Sequence, residues 1–362
     1  MIRVLVVEDS PVVQEFLVHI LSSDPDIWVI GTANNGEEAL EAVKRKKPDI
    51  ITMDINMPKM NGLEATRKIM ESLPTPIVIV SGSWDTKEVA TTFRAMEAGA
   101  LAIVPRPMGI GHPDYEATAK ELIQTVKLMS EVKVVRRWPR RQLEAVVPTV
   151  TPPVEVEPKR IKAKIRIVAI GASTGGPIAL QTILSGLPKD FPAPVLIVQH
   201  IAEGFVQGLV EWLDQTSNMP VYVATHGEYI LPGHIYIAPD KFHISVKTGG
   251  RIALSKGECE NGLRPSVSYL FRSIANVYGQ NAAAVLLTGM GKDGAKELKL
   301  LKEKGAVTIA QDKESSVVHG MPGEAIRLGA ATYILSPEKI PAMFIKMMNK
   351  DYLISNEIGN DL

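Results

Sequence analysis

The stretch Ile165-Arg-Ile-Val-Ala-Ile-Gly171-Ala172-Ser173-Thr174-Gly175-Gly176-Pro177-Ile-Ala-Leu-Gln-Thr-Ile-Leu-Ser185 decides the fold. Its apolar opening, Ile165–Ile170, is too short for a helix and reads as a buried strand. The small residues that follow make a turn, and Pro177–Ser185 carries a helical pattern. A strand, a tight turn and a helix form half of a parallel βα unit. The same pattern recurs downstream. Strand-like runs at Val195–Val198, Ile235–Ala238, Ala284–Leu287 and Ala306–Ile309 alternate with helical stretches at Gly204–Leu213, Val267–Val277 and Ala295–Lys304. A doubly wound α/β domain over residues 165–350 is therefore expected. Between Pro220 and Leu254 the short alternating runs, Pro232-Gly233 and the Gly249–Gly250 pair predict an antiparallel hairpin insertion.

Upstream, apolar runs at Ile2–Val7, Ile27–Thr32, Ile50–Met53, Ile77–Val80 and Leu101–Val104 alternate with helical patterns up to about Met129. This predicts a second parallel sheet, of five strands, in residues 1–130. Residues 131–164 read as a linker: Arg136, Arg137, Arg140 and Arg141 surround Trp138, and Pro148, Pro152, Pro153 and Pro158 interrupt any helix. Residues 351–362 read as a frayed tail.

A chain of 362 residues suits two compact domains. Forty basic residues balance forty acidic ones, so no electrostatic footprint points to nucleic acid or an anionic membrane. The lone Cys259 has no intrachain disulfide partner and no companion thiolate for a metal cage, which fits a reducing compartment. The first apolar run stops at Glu8 and Asp9, and no segment approaches the ~18 apolar residues that a bilayer requires. A cytoplasmic protein without membrane insertion is expected.

Glu8 and Asp9 follow the first strand, Asp54 ends the third and Ser81 ends the fourth. In an open parallel sheet, ligands gather at the carboxyl ends of strands, so these carboxylates are expected to converge. Such a cluster suits Mg²⁺ beside a phosphoryl group, with an aspartate as nucleophile and the Ser81 hydroxyl as a donor. Each aspartate alone is equally a helix cap or turn residue.

Three readings compete for the Ser173 turn. A dinucleotide loop needs glycine where Ser173 stands and an acid where the next strand ends in Gln199-His200. A G-x-S-x-G nucleophile elbow is satisfied by Gly171-Ala-Ser173-Thr-Gly175, with Asp293 or Asp312 and then His319 in the required order. The third reading takes Ser173 as nucleophile, His200 as base and Asp293 as orienting acid, all at carboxyl ends of strands. Main-chain N–H groups after Ser173 and in Thr288-Gly289-Met290-Gly291 lie near a developing oxyanion in that reading. The plainer roles are a helix cap for Ser173, a core histidine for His200 and an N-cap for Asp293. His226, His234, His243 and His319 receive no role.

Taken together, Val-Val-Glu8-Asp9-Ser, Met-Asp54-Ile-Asn56-Met-Pro58-Lys-Met-Asn61-Gly62 and Val-Ser81-Gly resemble the receiver domain of response regulators. The resemblance implies a flavodoxin-like fold, Asp54 as phosphoacceptor, and Mg²⁺ held by Glu8, Asp9, Asp54 and the Asn56 carbonyl. The family's usual lysine after the fifth strand is here Arg106, a second phosphoryl contact of different geometry. Gly-Ala-Ser173-Thr-Gly-Gly, Gln199-His200, Pro232-Gly-His-Ile-Tyr-Ile-Ala-Pro239, Arg264-Pro-Ser-Val267, Leu-Thr-Gly289-Met290-Gly-Lys-Asp293-Gly294 and Val-Val-His-Gly-Met321-Pro322 resemble the catalytic domain of chemotaxis protein-glutamate methylesterases. That likeness implies Ser173, His200 and Asp293 as catalytic residues and the amides of Met290 and Thr174 at the oxyanion, with no esterase cofactor. Methylated chemoreceptors are the implied substrate, a chemotaxis histidine kinase the phosphodonor, and receptor glutamine deamidation a further activity. Ser268 stands where that family usually has aspartate. Two other classes remain in play: a receiver-gated protein that only binds receptor or kinase, and a general esterase, for which no lid or acyl pocket is evident.

Overall fold

The computed structural model describes residues 1–82, 86–134 and 164–348. The expected linker and tail fall almost wholly outside the described residues. The first sheet contains β1 (Ile2–Val7), β2 (Ile27–Ala33), β3 (Ile50–Met53), β4 (Ile77–Ser81) and β5 (Ala102–Pro105). Its helices are α1 (Pro11–Ser22), α2 (Gly36–Lys46), α3 (Gly62–Ser72), α4 (Thr86–Ala98) and α5 (Tyr115–Ser130). All strand pairs are parallel, in the order β2-β1-β3-β4-β5. The alternation of side chains explains the layering: Val4 and Val6 face the core under α1 and α5, while Leu5 and Val7 face the core under α2 and α3. This is the flavodoxin-like arrangement, and strand order reverses between β1 and β3.

The second unit comprises β6 (Ile167–Ala172), α6 (Gly176–Ser185), β7 (Val195–Gln199), α7 (Val206–Thr216), β8 (Val221–Val223) and β9 (Ile235–Ile237). It continues with β10 (His243–Lys247), β11 (Arg251–Ser255), α8 (Val267–Val277), β12 (Ala282–Leu286), α9 (Ala295–Glu303) and β13 (Val307–Gln311), and ends with α10 (Met321–Arg327), β14 (Tyr333–Leu335) and α11 (Ile340–Met348). Seven of these strands form one parallel sheet in the order β14-β13-β12-β6-β7-β9-β8. In β6, Val168, Ile170 and Ala172 join the core under α6, α7 and α11, whereas Ile167 and Ala169 join the core under α8, α9 and α10. Helices on both faces explain the unbroken apolar run.

The expected hairpin exists but is confined to β10 and β11, which pair antiparallel. The rest of Pro220–Leu254 behaves differently: β8 and β9 pair parallel at the edge of the main sheet. At three residues each, β8 and β14 carry no readable periodicity, and only long-range pairing makes them strands.

The two units touch through α4. Phe93 and Met96 are buried within the second unit's core, and Phe93 stacks on Trp212 of α7 with centroids 5.5 Å apart. Glu97 accepts hydrogen bonds from Gln181 of α6 (2.6 Å) and from the Trp212 indole (3.0 Å).

Candidate functional site

Strand order in the larger sheet reverses at β6, which lies between β12 and β7. The chain leaves β6 at Ser173, β7 at His200 and β12 at the Thr288–Met290 loop, so the predicted residues meet at the topological switch point. Ser173, Thr174 and His200 line one cleft of about 440 Å³. The His200 N–H donates to the Ala172 carbonyl (2.9 Å), joining the two turns.

His200 Nε2 lies 3.1 Å from Asp293 Oδ2. Among the described residues no hydrogen bond joins the Ser173 hydroxyl to His200; Nδ1 is the imidazole nitrogen left for it. Asp293 is 2 % exposed. Burial raises its pKa, but His200 and the surrounding donors outweigh burial and hold the carboxyl well below the usual carboxylate range. Those donors are the Asn261 amide (3.1 Å), the Ser266 hydroxyl (2.9 Å) and the N–H groups of Val267 (2.7 Å) and Ser268 (3.2 Å). The last two open α8, so a helix N-terminus faces the carboxylate. Asp293 is therefore not the cap of α9, whose N-cap is Gly294. Nor does Ser173 cap α6 through its side chain.

Asn261, Ser266 and Ser268 were not readable as Asp293 partners, because they lie 25 to 32 residues away in the chain. Ser268 does not face the cleft. It is buried, accepting from the Gly294 N–H (2.9 Å) and donating to Glu297 (2.6 Å). His319, the alternative base, contacts Ser316 Oγ at 3.3 Å, and Asp312 is engaged by the N–H of Ser315 at 2.9 Å. Buried His243 supports the site from behind, its Nδ1 accepting from the Ser266 N–H (3.3 Å).

The loop after β12 approaches Ser173 directly: a Cβ on Gly289 would sit 2.6 Å from Ser173 Cβ. Gly175 turns the chain into α6 at φ +78°, a conformation that favours glycine. The Ser173 N–H is consumed by the Thr288 carbonyl (3.0 Å). Among the described residues, the N–H groups of Thr174 and Met290 have no hydrogen-bond partner. They are the two amides expected at an oxyanion.

In the smaller sheet, Glu8, Asp9 and Asp54 bring carboxylate oxygens within 4.8 Å of one another at its switch point. Asn56, Ser81 and Arg106 line the same cavity of about 420 Å³. Burial and then repulsion from Asp54 push Glu8 up to about 7, against the opposing pull of Arg106, which reaches its carboxylate at 3.3 Å. Burial likewise raises Asp54, partly offset by the N–H groups of Ile55 and Asn56. Clustered oxygen ligands whose negative charge is disfavoured fit a hard divalent cation.

The clefts of the two units are close. Ala102, Ile103, Glu121 and Thr125 of the first unit line the Ser173 cleft. A smaller cavity of about 200 Å³ is shared by Ser81, Arg106 and Phe205, the residue preceding α7. No helix among the described residues is long and apolar enough to cross a membrane.

Comparison with known proteins matches residues 168–344 to the CheB methylesterase family and residues 4–112 to the response regulator receiver domain. A protein-glutamate methylesterase/protein-glutamine glutaminase of Nitrosospira multiformis is 63% identical over 349 residues, spanning 96% of this chain and 97% of that protein. A second, from Syntrophus aciditrophicus, is 58% identical over 96% of this chain and 98% of its own length. The crystal structure of the Thermotoga maritima CheB methylesterase catalytic domain is 44% identical, covering 51% of this chain and 100% of that one with a TM-score of 0.49. The chain belongs to the protein-glutamate methylesterase/protein-glutamine glutaminase family, with a receiver domain ahead of the esterase domain.

Proposed function

We propose that this chain hydrolyses methyl esters of glutamate side chains on chemoreceptors, releasing methanol, and that phosphorylation of Asp54 switches it on. The observation carrying this reading is the site itself: Ser173 and His200 in one cleft, Asp293 on the imidazole, and the unpaired amides of Thr174 and Met290 beside them. Ser173 Oγ attacks the ester carbonyl while His200 takes its proton, and the buried Asp293 carboxylate stabilises the imidazolium. The tetrahedral oxyanion is received by the two free N–H groups. Collapse expels methoxide, which takes the proton from His200 and leaves as methanol. Water, deprotonated by the same imidazole, then cleaves the acyl-serine to free glutamate. With ammonia as leaving group, the same steps deamidate glutamine, as the names of the relatives suggest.

Control follows from the contact between the two units. Residues of the receiver line the Ser173 cleft, so the unphosphorylated receiver restricts access for a receptor helix. Glu8, Asp9, Asp54 and the Asn56 carbonyl would hold Mg²⁺, which neutralises the incoming phosphoryl group. Ser81 and Arg106 would contact that group, and Arg106 also borders the cavity reaching Phe205. A charge change there biases the domain contact toward opening. A chemotaxis histidine kinase in the cytoplasm is the expected phosphodonor.

The test is methanol release from methylated chemoreceptor membranes, with and without a small phosphodonor and Mg²⁺. Stimulated release that vanishes in Ser173→Ala and loses only its stimulation in Asp54→Asn is expected. Absence of release from every form, with receptor binding intact, would leave a receiver-gated binding protein instead.

A further inference from the structure

The two unpaired amides belong to the peptide units 173–174 and 289–290. A trans peptide holds its carbonyl and N–H antiparallel, so whatever binds the carbonyl aims the N–H. The Gly289 carbonyl accepts from the N–H groups of Gly320 (3.1 Å) and Met321 (2.9 Å), all main chain. The Ser173 carbonyl accepts from the Gly176 N–H (2.7 Å) and from Gln199 Nε2 (2.9 Å). Among these four donors, Gln199 alone is a side chain.

Its amide nitrogen has a second acceptor, the His200 carbonyl at 2.8 Å. One nitrogen therefore ties the turn carrying the nucleophile to the turn carrying the base. Two carbonyl acceptors also determine which end of the amide is nitrogen. Gln199 is only 3 % exposed, so water does not stand in for it. Its oxygen has no hydrogen-bond partner among the described residues and packs on α6, where a Cβ on Gly176 would fall 2.2 Å away. An orphaned buried carbonyl is costly, and an apolar side chain of the same size would avoid it. What leucine cannot supply is the N–H.

We propose that Gln199 is a positioning residue for the hydrolysis: through the Ser173 carbonyl it aims the Thr174 N–H at the oxyanion, and through the His200 carbonyl it sets the base relative to the nucleophile. This rests on the esterase reading above. It accounts for a polar residue closing an otherwise apolar buried strand, Val195–Gln199.

The experiment compares Gln199→Leu and Gln199→Glu with wild type and Ser173→Ala in the full chain, measuring methanol release with phosphodonor and Mg²⁺ alongside thermal melting. Gln199→Leu is expected to lower kcat about 10²-fold with KM unchanged and Tm near wild type. In Gln199→Glu the ionised carboxylate cannot donate to either carbonyl, whereas the protonated acid can. The ratio of Gln199→Glu to wild-type kcat should therefore rise as pH falls. A Gln199→Leu enzyme with wild-type kcat, a loss confined to KM, a loss that tracks unfolding, or a Gln199→Glu profile parallel to wild type each overturns the assignment. Release that survives Ser173→Ala removes Ser173 as the nucleophile, no release from any form removes the esterase reading, and either outcome removes this proposal with it.

Discussion

Asp293 concentrates the energetics of the site in one carboxylate. Because its folded-state pKa is depressed below the ordinary 3.8, it contributes stability that is intact above that pH and is lost as pH falls through the folded value. Asp293→Asn cannot titrate. Urea unfolding across pH should find the stability gap between wild type and this variant widest near neutrality and narrowing below about 4. Activity is expected to fall about 10⁴-fold in the same variant, since His200 loses the group that holds its tautomer. Thr288 offers a structural counterpart. Its hydroxyl donates to the Thr174 carbonyl (2.9 Å) and accepts from the Val318 N–H (2.9 Å), while its own N–H is held by Gln311 (2.8 Å). Thr288→Val should cost about 1–3 kcal/mol in urea unfolding by leaving both main-chain groups unpaired, with Thr288→Ser recovering most of it.

At the scale of elements, α4 is the joint between control and chemistry. Phe93 is fully buried against Trp212, yet it belongs to the receiver. Truncating it removes packing worth about 3–5 kcal/mol in a core. Phe93→Ala is therefore expected to raise methanol release without phosphodonor toward the stimulated level. Release that stays at the wild-type basal level would count against the receiver as a cover. The other decisive element is α8, whose first turn donates two N–H groups to Asp293 and so couples helix formation to the charge beside His200.

For the whole molecule, each of the two parallel sheets has a switch point, the first gathering Glu8, Asp9 and Asp54 and the second Ser173 and His200. Chelation of Mg²⁺ is expected to abolish stimulation by phosphodonor while leaving basal methanol release, because the proposed cation site is the Glu8, Asp9 and Asp54 cluster and the proposed serine chemistry draws on side chains and amides. Parallel loss of both activities would place the metal in the esterase step.

Much of this was legible without coordinates. Short continuous apolar runs, alternating with stretches of helical periodicity, located both sheets and their helices; acids after β1 and β3, Ser173 after β6 and His200 after β7 fell where parallel sheets place ligands. These are local properties, set by side-chain alternation and by where a strand ends. Other features depended on pairings far apart in the chain. β12 lies beside β6 although Ala282 and Ile167 are distant in sequence, and that adjacency brings Gly289 against Ser173. The partner of Asp293 is His200, while His319 lies with Ser316; Ser268 is a buried support. β8 and β14 are strands only because a neighbour in the sheet pairs with them. Sequence determined which chemistry-bearing residues end which strands. Tertiary structure decided which of them meet, because hydrogen-bond partners and close approaches are set by the order of strands in the sheet, which no local pattern encodes.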